Sequence, residues 1–405
     1  MRIACYAYIE PDSGSIAALG HLLVRELLRR GHEIDLFSKR SFVHPVELIN
    51  TFPNLRYHHH PNRVSGFLHA TVDRALSPLA PLTARLNHRY FSRNIVRAMR
   101  REHERRPFDA TLYVGTACFG RVGTAPTVSW VQGAPGSDAR SIDVHADLLR
   151  RTEGRFRLAM MRAYGLYRMR LAKPDFSQSD TVIVGSEVPR QRLIREFDLD
   201  ADQVKALPYA IDLSQYKVRQ ASPPREGRLR VLWLGRIVPR KRLDLLLAAA
   251  SLAIEDGCDL QLKIVGRFTF APGLRQLIDR FPYPSRIEYV ESVPRDQTPG
   301  LLREADLLAQ PSDDEDFGSS VAEAMACGTP CIVGQTNGTG DYLDDFSLRL
   351  DDDRPETLRA AFIQFDRRKR AGELAHPREI RRRAEAMFDI SRLTEQVETL
   401  LRAKP

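Results

Sequence analysis

PSDDEDFGSSVAEAMACGTPCIVG, Pro311 to Gly334, runs in order through an acidic loop, a glycine, a helix of about eight residues, a glycine stop and a strand. Gly318 lets the backbone come close to a ligand, because it has no Cβ. Ser319 and Ser320 open the helix, so free N–H groups and the positive end of the helix dipole are offered to an anion. Glu315 in the loop and Glu323 on the helix stand eight positions apart. Both are expected to face one pocket. An isolated carboxylate pair is usually solvated surface; set in this loop–glycine–helix context it reads as a site.

Upstream lies LWLGRIVPRKRLDLLLAAASL, Leu232 to Leu252. A strand ends at Gly235, Arg236 follows in the loop, and Lys241 sits near the start of the next helix. Two cations flanking a strand end fit a diphosphate, with charge-assisted hydrogen bonds contributing about 1.5–3 kcal/mol each. Neither stretch has the GxxxxGK[ST] layout of a P-loop, which argues against an ordinary NTPase.

Further outward, Leu229–Leu234, Leu260–Val265, Ile287–Val290, Asp306–Ala309 and Pro330–Val333 read as strands separated by helical runs. The first half repeats the arrangement with Ile3–Ile9, Glu33–Phe37, Asp109–Val114, Thr127–Val131 and Thr181–Val184. Its amphipathic helix Ile16–Arg30 is stopped by Gly31. Alternating strands and helices predict parallel sheets. The expectation is an α/β chain of two doubly wound, Rossmann-like domains facing a cleft: residues 1–214, a Pro-containing linker 215–227, and residues 228–387. In such sheets ligands bind beyond the carboxyl ends of the strands.

Composition narrows the class. The chain has 405 residues, 43% hydrophobic and 28% charged, the balance of a globular protein rather than a disordered one. No apolar run approaches the ~18 residues of a spanning helix; Leu243–Ile254 is short and contains Asp244. MRIACYAYI reads as a strand, not a signal peptide, and five scattered cysteines fit a reduced compartment. A cytoplasmic location follows as the expectation, with peripheral attachment at the inner face of the membrane.

The net charge of +9 is uneven: residues 1–220 carry +11 and the remainder −2. Arg85, Arg89, Arg93, Arg97 and Arg101 recur every four residues and would form one ridge on a helix. A second segment, Arg150 to Lys173, mixes Arg151, Arg155, Arg157 and Arg162 with Phe156, Met160, Tyr164 and Tyr167. An arginine ridge is most often a solvated face. Two in the half that carries the surplus charge favour an anionic membrane surface. No nucleic-acid motif accompanies them. His58-His59-His60 reads as an exposed loop, and Cys327-x3-Cys331 lacks the second ligand pair that zinc needs. The aspartates at 314, 316 and 351–353 read as solvated rather than metal-binding.

Gly235-Arg236 with Lys241 and Asp244, Pro311-Ser312, Glu315-Asp316-Phe317-Gly318 and Glu323-Ala324-Met325-Ala326-Cys327-Gly328-Thr329-Pro330 closely resemble family 4 of the retaining glycosyltransferases, of GT-B fold. Weaker matches are Gly31-His32-Glu33-Ile34, Asp180–Val184 with Ser186, and Pro208–Asp212. The resemblance implies that the second domain binds a nucleoside-diphosphate sugar, a UDP- or GDP-sugar, and passes a hexose to a saccharide or lipid-linked acceptor held by the first domain. A C-terminal helix at about 388–405 would pack back on that domain. Arg236 and Lys241 would hold the diphosphate and Glu323 the ribose. Glu315 would contact the transferred sugar, near Gly235, Phe317, Gly318, Ser319 and Ser320. Gly14, Ser15 and Gln132 would lie by the sugar or acceptor. No metal or other cofactor is implied. The chain departs from the family at its first loop, where Asp12-Ser13-Gly14-Ser15 stands for a Gly-Gly pair. It departs again at Gln132-Gly133, where many members have His-Gly, and at Ala210 and Asn337–Asp341. Cell-envelope or polysaccharide biosynthesis fits best; a silent sugar-nucleotide-binding protein and a saccharide phosphorylase or synthase on the same fold are the alternatives. A Rossmann oxidoreductase ranks third, because Gly14 and Gly20 do not form GxGxxG.

Overall fold

The computed structural model describes residues 1–9, 15–38, 45–60, 80–133, 135–171, 174–220, 226–374 and 376–403, with backbone alone at 15, 80–91 and 167–171. The first domain contains β1 (Arg2–Tyr6), α1 (Ser15–Arg29), β2 (Glu33–Ser38), α2 (Val46–Thr51), β3 (Leu55–His59), α3 (Ala80–Arg105) and β4 (Ala110–Val114). It continues with β5 (Thr127–Trp130), α4 (Ser137–Val144), α5 (Ala146–Glu153), α6 (Arg155–Leu171), β6 (Thr181–Val184), α7 (Glu187–Phe197) and β7 (Val204–Ala206). The second domain begins with β8 (Leu229–Leu234), α8 (Leu243–Glu255), β9 (Leu260–Val265), α9 (Arg275–Asp279), β10 (Ile287–Val290) and α10 (Thr298–Glu304). Then come β11 (Leu307–Gln310), α11 (Ser319–Ala326), β12 (Cys331–Val333), β13 (Leu348–Arg349), α12 (Pro355–Ala371), α13 (Pro377–Phe388) and α14 (Ile390–Arg402).

Both sheets are wholly parallel. Their orders are β3-β2-β1-β4-β5-β6-β7 and β10-β9-β8-β11-β12-β13. The chain reverses direction between β1 and β4 in one and between β8 and β11 in the other. Such switch points leave a crevice beyond the strand ends. Pairing β8 with β11, Leu307 opposite Val231, therefore sets the loop after β8 beside the loop after β11. Two motifs some 75 residues apart in sequence meet for this reason.

Burial follows the predicted pattern. Leu19, Leu23, Val24 and Leu27 of α1 are fully buried, and Gly31 ends the run at positive φ. Trp130 and Trp233 lie in the cores of the two sheets. β1 stops at Tyr6, short of the expected Ile9, because its last ladder partner in β2 is Phe37. The histidine run is not an exposed loop: His58 and His59 belong to β3, and His60 is only partly exposed. His58 stacks on Phe37 at 4.5 Å and its Nε2 lies 2.8 Å from Asp35, a buried carboxylate that Arg2 also holds. The C-terminal helix α14 packs on α1, β4 and β5 of the first domain. There Arg30 donates to the Ser391 carbonyl at 2.8 Å, and His32 meets Glu398 at 2.6 Å.

Candidate active site

A cleft of about 890 Å³ lies between the domains. From the second domain it is lined by Arg236, Arg240, Asp314, Glu315, Phe317, Gly318 and Ser319. The first contributes Gln132, Gly133, Asp138 and Arg140. Gly318 caps α11 at φ 80°, where a Cβ would come within 2.7 Å of Thr339 Oγ1. Only glycine can stand there, and it leaves the start of α11, Gly318 and Ser319, facing the cleft. The free N–H groups of such a helix start are of the kind that suit an anion.

Three cations come from the loop after β8. Arg236 is exposed at the cleft wall. The short 3-10 turn Pro239–Lys241 buries the next two, and Arg242 takes φ 52° to leave the turn. Lys241 pairs with Glu315, and the Arg240 guanidinium reaches the same carboxylate at 2.7 Å. Burial alone would push the Glu315 carboxyl up; Arg240 and Lys241 outweigh it and hold it at about 2. Burial pushes the Lys241 ammonium below its ordinary value. Glu315 offsets part of that, and the like charge of Arg240 adds to it. The two shifts describe one arrangement, in which two cations crowd a single buried carboxylate.

The first domain closes on this cluster through Asp138, Arg140, His145, Gly185 and Arg192, which motif reading does not single out. Ser186 and Tyr209, in the weaker family matches, and Gly133, at the departure from His-Gly, close on it as well. Arg240 Nε donates to Asp138 of α4 at 2.7 Å, so one guanidinium bridges Asp138 and Glu315. Asp314 is held by Arg140, at 3.1 Å, and by Arg192. His145 meets Asp313 at 2.6 Å. Asp316 accepts from the Gly185 N–H at 2.9 Å and from the Tyr209 hydroxyl, while Ser186 Oγ donates to its carbonyl at 2.7 Å. Burial outweighs these donors and raises the Asp316 carboxyl to about 7. Gly133 lies so close that a Cβ would sit 2.8 Å from that of Asp316.

The expectation that both glutamates share one pocket is not met. Glu323 lines a separate cavity of about 190 Å³ with His21, Arg25, Asp212, Tyr216 and Arg295, and only Ser319 touches both spaces. Glu323 follows Ser319 by four residues, so it stands on the same face of α11 about 6 Å further along the axis, away from the cleft. Burial raises its carboxyl above the ordinary value, opposed by Arg295 and the Tyr216 hydroxyl. Phe317 turns its ring into the core against Tyr209 at 4.9 Å, so only its backbone is available to a ligand. Gly235 ends β8 beside Gln310. Gly14 lies outside the described residues, and Ser15 is placed by backbone only, at the start of α1. Among the described residues no three His, Cys, Asp or Glu side chains converge as a metal-ligand set.

Residues 214–379 match the family model of the glycosyl transferases group 1. The chain is 28% identical over 179 residues to the D-inositol 3-phosphate glycosyltransferase of Rhodococcus opacus, and 29% identical over 180 residues to that of Mycolicibacterium smegmatis. Each match covers 40% of this chain, and the matched part spans about 40% of the relatives' own length. Among solved structures, Anabaena HepE in complex with UDP and glucose aligns over 99% of both chains at 17% identity and TM-score 0.62. Sucrose-phosphate synthase from Thermosynechococcus elongatus aligns over 99% of this chain and 98% of that one, at 18% identity and TM-score 0.66. At these identities the structural likeness shows the fold, which is GT-B.

Proposed function

We propose, from the premise that residues 214–379 belong to the glycosyl transferases group 1, that the protein is a retaining hexosyltransferase. It would carry a hexose from a UDP- or GDP-sugar to a saccharide or lipid-linked acceptor, in cell-envelope or polysaccharide biosynthesis. The observation that carries the reading is the meeting, at the β8/β11 switch point, of Arg236 and Arg240 with the N-terminal turn of α11 around one cleft, with Lys241 buried behind them on Glu315. A diphosphate is the anion that such a set fits, because several donors surround it and stabilise the charge that develops as the glycosidic bond breaks.

In the mechanism, Lys241 leaves Glu315 for the diphosphate when the donor enters. Glu315, freed on one side and still held by Arg240, accepts from hydroxyls of the sugar. Arg236 and the N–H groups of Gly318 and Ser319 hold the remaining phosphate oxygens. Glu323, in its own cavity, accepts from the ribose. The acceptor hydroxyl attacks from the face the diphosphate leaves, through an oxocarbenium-like state, so the anomeric configuration is retained. Neutralisation by side-chain cations makes a metal unnecessary. Ligand-induced stabilisation tests the donor assignment, since a bound nucleotide raises stability by RT ln(1 + [L]/Kd). UDP or GDP is expected to raise Tm; no response to UDP, GDP, ADP or dTDP overturns it. A donor that turns over only with inorganic phosphate would assign a phosphorylase instead.

A further inference from the structure

The outward face of α6 is unlike any other in the described chain. Phe156 is 80% exposed, Met160 39% and Tyr164 53%, and Leu166 is 54% exposed one step further. These four account for most of the exposed large apolar side chains among the described residues. The spacing of four puts Phe156, Met160 and Tyr164 on one stripe. The opposite face is already used, since Leu158 and Met161 pack into the core of the second sheet. A helix on a soluble surface should be charged where these three stand. Arg155 and Arg157 lie about 100° to either side of Phe156; Arg155 is exposed, and Arg157 stays half-exposed while its guanidinium meets Glu153 at 3.0 Å. The sequence of α6, RFRLAMMRAYGLYRMRL, contains five arginines and no carboxylate.

We infer that α6 is a docking face for an anionic lipid bilayer, and that it delivers a lipid-anchored acceptor to the cleft. Apolar side chains flanked by arginines are the complement of acyl chains under acidic headgroups. The second half of the inference rests on the glycosyl-transfer reading, and one observation extends the face to that site. Met161, Tyr164 and Leu166 of α6 also line the cleft, opposite Phe270 of the second domain. A headgroup entering past Tyr164 therefore keeps its tail at the bilayer. This moves the membrane contact from the ridge on α3 to α6. On α3 Arg93, Arg97 and Arg101 are exposed, but Ile95, Val96 and Met99 are buried, so its described residues offer charge without an apolar anchor. Arg85 and Arg89 have no described side chains.

Flotation of the full chain with phosphatidylglycerol–phosphatidylcholine vesicles and with pure phosphatidylcholine vesicles tests the face without reference to catalysis. Wild type is expected to float with the anionic vesicles only, and less as salt rises. Phe156→Glu with Met160→Glu, at positions already in water, is expected to weaken partitioning about 100-fold, about tenfold for each side chain. Arg93→Gln with Arg97→Gln and Arg101→Gln should weaken it less. Wild type that ignores anionic vesicles, or a double variant that binds as well as wild type, overturns the proposal. A dimer that the double variant dissociates, with no vesicle binding, assigns the face to a second copy and equally overturns it. With an acceptor in hand, the double variant should lose turnover of a vesicle-embedded acceptor and keep that of its water-soluble headgroup. Vesicle binding with no nucleotide-dependent stabilisation would sink the transferase reading and leave the docking face standing.

Discussion

Arg240→Gln removes the guanidinium that joins Asp138 of the first domain to Glu315 of the second, and its cost can be worked from the geometry. Glu315 and Arg240 are 13% and 10% exposed at this contact, so the pair is little screened by solvent. The fall of the Glu315 carboxyl from its ordinary 4.5 to about 2 corresponds to ~3 kcal/mol of preference for the charged form. Lys241 supplies part of it, which leaves about 2 kcal/mol for Arg240. The bond to Asp138, a carboxylate 40% exposed, adds less than about 1 kcal/mol. For a domain of this size the sum lowers Tm by about 4–8 °C at neutral pH. The pH dependence has a definite sign. The folded value of Glu315 lies below the unfolded one, so the stabilisation is complete above about 4.5 and disappears as pH falls through about 2. Urea titrations of wild type and variant at pH 7 and pH 3 should give curves whose separation is clear at the first and reduced by about half or more at the second. Equal stability at pH 7, or a gap undiminished at pH 3, would refute the assignment of Arg240 as the partner that fixes Glu315.

Lys241→Ala or Arg236→Ala should lower kcat by about 10²–10³ through lost stabilisation of the leaving diphosphate; steady-state rates within threefold of wild type exclude that role. Glu323→Ala should weaken nucleotide binding in calorimetry while leaving kcat nearly intact, as befits a contact present in ground and transition states alike. Turnover is expected to survive EDTA, and abolition reversed by Mg²⁺ or Mn²⁺ would show that a metal shares the diphosphate. Asp316 is held at about 7, above its unfolded value, so its contribution to stability is full below about 3.8 and is lost as pH rises through about 7. Asp316→Asn should flatten the dependence of Tm on pH across that window, and an unchanged slope rules out Asp316 as its source.

The parts of the site that local sequence could show are those built by local rules. Gly318 followed by Ser319-Ser320 predicts a helix start whatever surrounds it, and Gly235-Arg236 marks a strand end. Arg240 could not be told from Arg242 in Val-Pro-Arg-Lys-Arg, because only the 3-10 turn decides which of them goes inward. Asp138, Tyr209 and Gly185 meet the second domain across more than a hundred residues of chain, and no spacing rule reaches that far. The shared pocket expected for Glu315 and Glu323 failed for a similar reason. Their separation along the chain was plain, but the direction of the loop before α11 was not. Strands β3 and β7 went unread because Leu-Arg-Tyr-His-His and Val-Lys-Ala are short, polar edge or near-edge segments without an apolar run.

The surplus positive charge of the first half bears on what enters the cleft and what stays outside it. Four arginines line the cleft against six carboxylates. Arg140 is engaged by Asp314, Arg162 by Asp143, and Arg240 by Asp138 and Glu315. With Arg236 committed to the diphosphate in the proposed mechanism, an anionic acceptor headgroup seated there would have to break one of these pairs and face the remaining carboxylates. A neutral, hydroxyl-bearing headgroup meets no such penalty, and the same paired groups can hydrogen-bond to it. Exposed arginines for which no carboxylate partner is seen among the described residues stand instead outside the cleft, Arg93, Arg97 and Arg101 on α3 and Arg155 on α6. Charge in that position acts on a surface rather than on a seated substrate, raising the local concentration of the protein at an anionic layer. Under the proposed function the two would be separate tasks: exposed arginines of the outer helices would meet an anionic surface, and the cleft would take an uncharged saccharide.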